Sequence, residues 1–184
     1  MRWFLMFCLL AVAAPAAAQP RPDARKAEID ALIGALAQAP DEAQAGMIEM
    51  RLRQLWLQAG TPVTTMLMGS GLNALRRDSA KDALDDFNAA LALAPNLADA
   101  FQQRALARFA LGDYRGAVAD IEATLQREPR DFAAFETLSR IAEAQGDARG
   151  ALAAWRRAMA ISPKTPGGAA RLQSLIRKAD GEAT

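Results

Sequence analysis

The chain has 184 residues, with 22 basic against 21 acidic side chains, one cysteine and no histidine. That balance offers no basic field with which to hold nucleic acid. The missing histidine excludes a Ser-His-Asp triad and a Cys-His pair, and it takes away a usual ligand of zinc sites.

Residues 1–12 place a single positive charge, Arg2, ahead of an apolar run, and Pro15 and Ala16-Ala17-Ala18-Gln19 follow. A short basic start, an apolar stretch and a small-x-small ending read as a secretory signal peptide over residues 1–18, cut between Ala18 and Gln19. The alternative is an uncleaved anchor. Trp3 to Ala18 is only 16 residues, short of the roughly 20 that a spanning helix needs. Cys8 lies inside the apolar run with no small residue just before it, which argues against a lipid-anchored start. Cleavage removes the only cysteine and leaves 21 basic against 21 acidic residues. A chain of about 165 residues can bury a sufficient core without disulfides. No second apolar stretch is long enough to cross a membrane, so no stable insertion is expected after cleavage. The expected location is the bacterial periplasm, with secretion as the alternative.

Residues 19–23 read as a linker. Ile29, Leu32, Ile33 and Leu36 then fall at i, i+3, i+4 and i+7, one face of a helix that Pro40-Asp41 ends. Ile48, Leu52, Leu55, Trp56 and Ala59 form the stripe of a second helix, with Arg51, Arg53, Gln54 and Gln58 on its wet side and Gly60 at its end. Residues 24–61 are thus expected to form an N-terminal helical hairpin. Thr61-Pro62 opens a third helix, with threonine as a cap and proline in the first turn.

From there a period of 34 residues governs the chain. Ala83, Ala117 and Ala151 repeat at that interval, as do Pro95, Pro129 and Pro163, and Leu67, Phe101 and Phe135. Each of three units, roughly 64–97, 98–131 and 132–165, presents a bulky residue and four positions later a small one: Gly71, Ala105 or Ser139. The turns are Asp78-Ser79, Gly112-Asp113 and Gly146-Asp147, in which glycine ends one helix and aspartate caps the next. The second helix of each unit carries a bulky Phe87, Ile121 or Trp155 and a small Ala90, Thr124 or Ala158. Small residues let two helices approach closely, and bulky ones fill the space beside them. One such unit cannot bury its apolar face alone, so neighbours must stack. Ala169, Leu172, Leu175, Ile176 and Ala179 share one face of a last helix that covers the open end.

These residues resemble the tetratricopeptide repeat (TPR) family over about 100 residues, Thr64 to Pro163. The turn glycine is replaced by Asp78 in the first unit, and Arg104 and Arg108 stand where the family usually has large apolar residues. Arg104 is expected to pair with Asp120 or Glu122 across the helix pair. The whole chain also resembles exported alphaproteobacterial TPR proteins of unassigned activity, through residues 53–60, Ala119-Asp120-Ile121 and residues 128–132. The resemblance implies an all-α fold, a right-handed α-solenoid. It comprises the hairpin at 24–61, three repeats over 62–165, and a capping helix and tail over 166–184.

Chemistry finds little support in the residues. Gly167-Gly168 lacks the lysine-and-hydroxyl ending of a phosphate loop, Asp41-Glu42 and Asp85-Asp86 point to different helix faces, and no calcium loop is present. No catalytic residue, metal or cofactor is assigned. The candidate site is the concave groove of the array: Met68, Leu72 and Leu75 from the first unit, Asp99, Gln102, Leu106 and Phe109 from the second, and Glu136, Arg140 and Glu143 from the third. Phe109 and Met68 are expected to act as aromatic anchor and adaptable filler. The hairpin either leaves this groove open or folds across it and buries Leu72, Leu106 and Phe109. A clamp for C-terminal carboxylates, as some relatives have, would need several lysines, arginines and asparagines, and only Arg140 is well placed. The expected function is a non-enzymatic adaptor that binds a peptide or helix of a protein partner, with an envelope or cell-wall assembly factor in view. A self-assembling structural envelope protein is the rival reading, and a carboxylate-based hydrolase the third.

Overall fold

The computed structural model describes residues 22–181. The signal-peptide reading of residues 1–18, most of the linker and the last three residues of the tail lie outside the described residues. Among the described residues there are nine helices: α1 Pro22–Ala37, α2 Glu42–Leu57, α3 Pro62–Arg76, α4 Ala80–Leu93, α5 Ala98–Ala110, α6 Tyr114–Arg127, α7 Phe132–Ala144, α8 Ala148–Ile161 and α9 Gly168–Gly181. Helix α1 thus begins inside the stretch read as linker. None of these helices is long and apolar enough to cross a membrane.

The period of 34 becomes three antiparallel helix pairs, α3/α4, α5/α6 and α7/α8, stacked in order into an α-solenoid. Small residues set how closely each pair packs. A methyl carbon at Gly71 would lie 2.5 Å from the Phe87 ring, so α3 and α4 pack there with no room for any side chain. In α5/α6 the contact is made by the fully buried Ala105 and Ala117. In α7/α8 the Ser139 hydroxyl donates to the Ala151 carbonyl at 2.8 Å, which satisfies a polar group inside the core. The turns share one left-handed residue at the same register: Gly112 at φ 77°, Gly146 at φ 79° and Asp78 at φ 57°. Asp113 and Asp147 then accept from Gly116 and Gly150 and cap the following helices, whereas Ser79 makes no such bond. Thr61 accepts from the Thr64 amide and caps α3, with Pro62 in its first turn.

The middle pair has an ionic centre. Arg104 grips Asp120 through Nε at 2.9 Å and through its terminal nitrogen at 2.7 Å. Arg108 adds an ion pair at 3.0 Å, and Asp120 is only 3% exposed. Of the two partners the sequence offers Arg104, the structure selects Asp120.

Helix α9 closes the stack against α8. Leu175 is fully buried there, Trp155 Nε1 donates to the Gly168 carbonyl at 3.2 Å, and Arg171 and Lys178 both pair with Glu143.

The α1/α2 hairpin does not extend the stack as a fourth unit. Its apolar side, with Leu36, Ala45, Leu52 and Trp56, packs on Phe132 and Ala133 of α7 and on Ile161 of α8. The Trp56 and Phe132 rings lie 5.7 Å apart. Full burial of Phe132 stabilises this docking by roughly 2–3 kcal/mol. Polar bonds extend the attachment: Ser162 to Glu49 at 2.7 Å, the Gly167 amide to Glu42 at 3.1 Å, and Arg130 to Asp30 at 2.5 Å. Helix α2 therefore begins beside the loop before α9 and ends beside the first repeat, where Leu57 packs on the core of α3/α4.

Candidate functional site

The first helices of the three repeats and the crossing α2 enclose a cavity of about 460 Å³. Helix α2 supplies Arg53, Gln54 and Leu57, and α3 supplies Leu72. Helix α5 contributes Asp99, Gln102, Gln103 and Leu106, and α7 contributes Ala133, Glu136, Thr137 and Arg140. The groove is neither fully open nor filled. Helix α2 walls one side of it and leaves this space between itself and the array.

Six residues expected in the groove meet here: Leu72, Asp99, Gln102, Leu106, Glu136 and Arg140. Met68 requires a correction. It is completely buried in the core shared by α3, α4 and α5, so it presents no surface to a partner. Leu75 packs against the same core and Phe109 against the α5/α6 core, and neither lines the cavity. The Phe109 ring lies 5.8 Å from Tyr114, and the Arg140 guanidinium sits over it at 5.2 Å. Glu143 belongs to a separate depression beside Trp155 and Arg171.

The wall formed by Arg53, Gln54 and Leu57 was not legible as part of a site, since two of the three read as solvent-facing. One signal was available: Leu57 lies off the α2 stripe and marks a second apolar face.

The electrostatics are those of buried acids. Asp99 is 5% exposed. Its Oδ1 accepts from Gln103 Nε2 at 3.2 Å, and its Oδ2 has no hydrogen-bond partner among the described residues. Burial pushes this carboxyl up to about 6, against the opposing hydrogen bond from Gln103. Asp131 caps α7 by accepting from the Ala134 amide at 3.1 Å. Burial still pushes it up to about 7, and the nearby Asp99 charge adds to the effect. Glu136 is raised by burial, opposed by Arg53, which pairs with it at 3.1 Å. Outside the cavity, hydrogen bonds from Arg171 and Lys178 hold Glu143 down at about 2.

This arrangement is built for binding. Leu57, Leu72, Leu106 and Ala133 supply an apolar strip, and eight polar or charged side chains surround it, a mixture that suits binding. Among the described residues no group of histidine, cysteine and acidic side chains is arranged to hold a metal ion.

No protein-family model matches the chain. It is 30% identical over 159 residues to a TPR repeat-containing protein of Rhizobium etli, covering 86% of this chain and 78% of that one. Among solved structures, the Sgt2 TPR domain from Aspergillus fumigatus is similar with a TM-score of 0.63 and 25% identity, covering 68% of this chain and 84% of that one. The TPR2B domain of yeast Sti1, solved in its pHsp70 complex, shares the fold with a TM-score of 0.59 at 18% identity, covering 66% of this chain and 99% of that one.

Proposed function

Because the chain belongs to the tetratricopeptide repeat family, we propose that it is a non-enzymatic adaptor that holds a segment of a protein partner. The observation that carries this reading is the cavity between α2 and the first helices of all three repeats, where an apolar strip of Leu57, Leu72, Leu106 and Ala133 lies among polar and charged side chains. The yeast domain that shares the fold was captured in complex with pHsp70, and binding of a protein segment is the use we assign to the groove here. The proposed place of action is the bacterial periplasm. Arg2, the apolar run after it and the Ala16-Ala17-Ala18 ending support export. An envelope or cell-wall assembly factor is the kind of partner that such a location offers.

In-cell photocrosslinking from position 106, with the exposed Arg156 as surface control, tests the proposal. A discrete partner band from 106, absent from 156 and lost when Leu72→Glu is added, is the expected result. Bands from 106 that contain only this chain's own α2 would overturn it.

A further inference from the structure

Inside the array, Leu97, Ala100 and Ala107 of α5 pack on the core of the first repeat, and Ala134 and Ile141 of α7 pack on that of the second. All five are buried. Their register mates on α3 are Val63, Met66 and Asn73. Among the described residues no repeat precedes these three, because the hairpin docks on α7 and α8 instead. Val63 and Met66 are 53% and 68% exposed, and Asn73 is exposed as well. Leu93 of α4 extends the same face. Its register mate Arg127 reaches back to the Pro95 carbonyl of the preceding repeat at 3.4 Å. At Leu93 that neighbour is missing, and the side chain is 59% exposed. Three of the six large apolar side chains exposed among the described residues thus lie at this one end of the stack, while α9 covers the other end. We infer that the face of Val63, Met66 and Leu93 is a dimer interface, and that its occupant is the same face of a second copy of this chain. The inference goes beyond the adaptor reading and does not rest on it.

Three features select a second copy. The first is charge. Helix α3 carries no charged residue from Pro62 to Leu75. A two-fold contact sets a face against itself, so a charge at its centre would meet its own like. The charges of this repeat stand toward the turn, with Arg76 and Arg77 after Leu75 and Asp82, Asp85 and Asp86 in the first half of α4. Both signs are present there, so that rim does not repel itself. The second is the chemistry of the cover. Inside the array this register is covered by the apolar side of another repeat, and a second copy brings apolar side chains of the same kind. The exposed Ser70 is small enough to let two α3 helices approach. The third is closure. Because α9 occupies the opposite end, only one end of each stack is open, and association stops at two copies instead of running into a filament. The face is modest in size. Helix α3 has 15 residues, and with α4 beside it the footprint is roughly 400–500 Å² per copy. That lies at the low end of specific interfaces, so the expected association is micromolar. On the adaptor reading such a dimer presents two grooves to a partner with two segments.

Sedimentation velocity of the purified protein from about 1 to about 300 μM tests the inference. The mass should rise from one chain to two and stop there. Met66→Glu should weaken the pairing at least about tenfold, because a two-fold contact buries the new charge twice. Met66 is exposed in the single chain, so the variant should melt as the wild type does when both are measured dilute. Met50→Glu, on the equally exposed Met50 of α2, is the control and should pair like the wild type. A wild type that stays single over the whole range, a Met66→Glu variant that pairs as tightly as the wild type, or growth beyond two copies overturns the inference. Photocrosslinking from position 66 identifies the occupant, and a band of twice the chain's mass is expected from the purified protein. A purified chain that stays single but is joined from position 66 to a different protein in cells, or to its own residues before Pro22, overturns the second copy.

Discussion

Asp120→Ala should be the most damaging single change in the middle repeat. It removes two charge-assisted hydrogen bonds from Arg104, at 2.9 and 2.7 Å, and an ion pair with Arg108 at 3.0 Å. It leaves two guanidiniums one turn apart on α5, their side chains only 17% and 25% exposed. Breaking a buried pair by removing one partner costs about 3–5 kcal/mol. The lower end applies here. Arg104 keeps Asn88 at 2.9 Å and Arg108 keeps the Gly116 carbonyl at 3.0 Å, and both retain some water. A loss of about 3 kcal/mol lowers the melting temperature of a domain of this size by about 6–12 °C. Thermal melts followed by far-ultraviolet circular dichroism would measure it. The third repeat suggests the control, because it carries Leu138, Ala142 and Ala154 at the registers of Arg104, Arg108 and Asp120. The triple variant R104L/R108A/D120A should regain most of the loss, since apolar replacement of a buried ionic group is often neutral or stabilising. A D120A melt within about 2 °C of wild type, or a triple variant less stable than D120A, would refute the view that this network is a paired ionic core.

Burial raises Asp99 to about 6 and Asp131 to about 7 from an ordinary 3.8, so the folded chain holds these protons more tightly than the unfolded chain. Stability therefore falls as pH rises from near 4 to near 7 on their account, and melts should move upward between about pH 8 and about pH 5.5. Asp99→Asn should flatten part of that slope, and a profile rising with pH across the window would contradict it. Glu143, held at about 2, works the other way, and its contribution is lost as pH falls below about 4.5. At the turns, Gly146→Ala should cost about 1 kcal/mol or more. No atom stands near the added carbon, so the left-handed backbone at φ 79° is the whole penalty. Asp78→Gly should stabilise by no more than about 0.5 kcal/mol, because glycine's larger unfolded entropy offsets most of the relief. A neutral Gly146→Ala in denaturant titrations would refute the backbone argument.

The repeats were legible because their determinants are local. A small residue opposite a bulky one, a turn glycine followed by a capping aspartate, and a closing proline each act within one helix pair, and the period multiplies the signal. A pairing of Arg104 across the helix pair was legible for the same reason, with Asp120 and Glu122 both offered and Asp120 taken in the structure. The docking of the hairpin was not. Its anchors join Trp56 to Phe132, Glu49 to Ser162 and Glu42 to Gly167, and no period links positions so far apart. Met68 was misplaced for a related reason. Its register faces the groove in the third repeat, where Glu136 lines the cavity, but in the first repeat the core shared with α4 and α5 closes over that position.

The same register explains how a repetitive array yields an asymmetric cavity. Leu72, Leu106 and Arg140 occupy one position of the 34-residue period, Gln102 and Glu136 share the position of Met68, and Asp99 and Ala133 share that of Thr65. The period puts these positions at one register in each unit, and the side chains and what packs over them differ. Going along the array, the lining passes from leucine through leucine to arginine at one register, and from a buried methionine through glutamine to glutamate at another. Repetition thus supplies the surface and its curvature, while its departures from repetition supply the differences in the cavity's lining. Helix α2 completes the arrangement from outside the repeats. It adds Leu57 to the apolar side and Arg53 to the acidic side, and its exposed ion pairs are worth little individually. The apolar contact of Trp56 with Phe132 must then hold the wall in place. A partner that enters the cavity does so against that one anchored helix, so the hairpin's docking strength sets how readily the site opens.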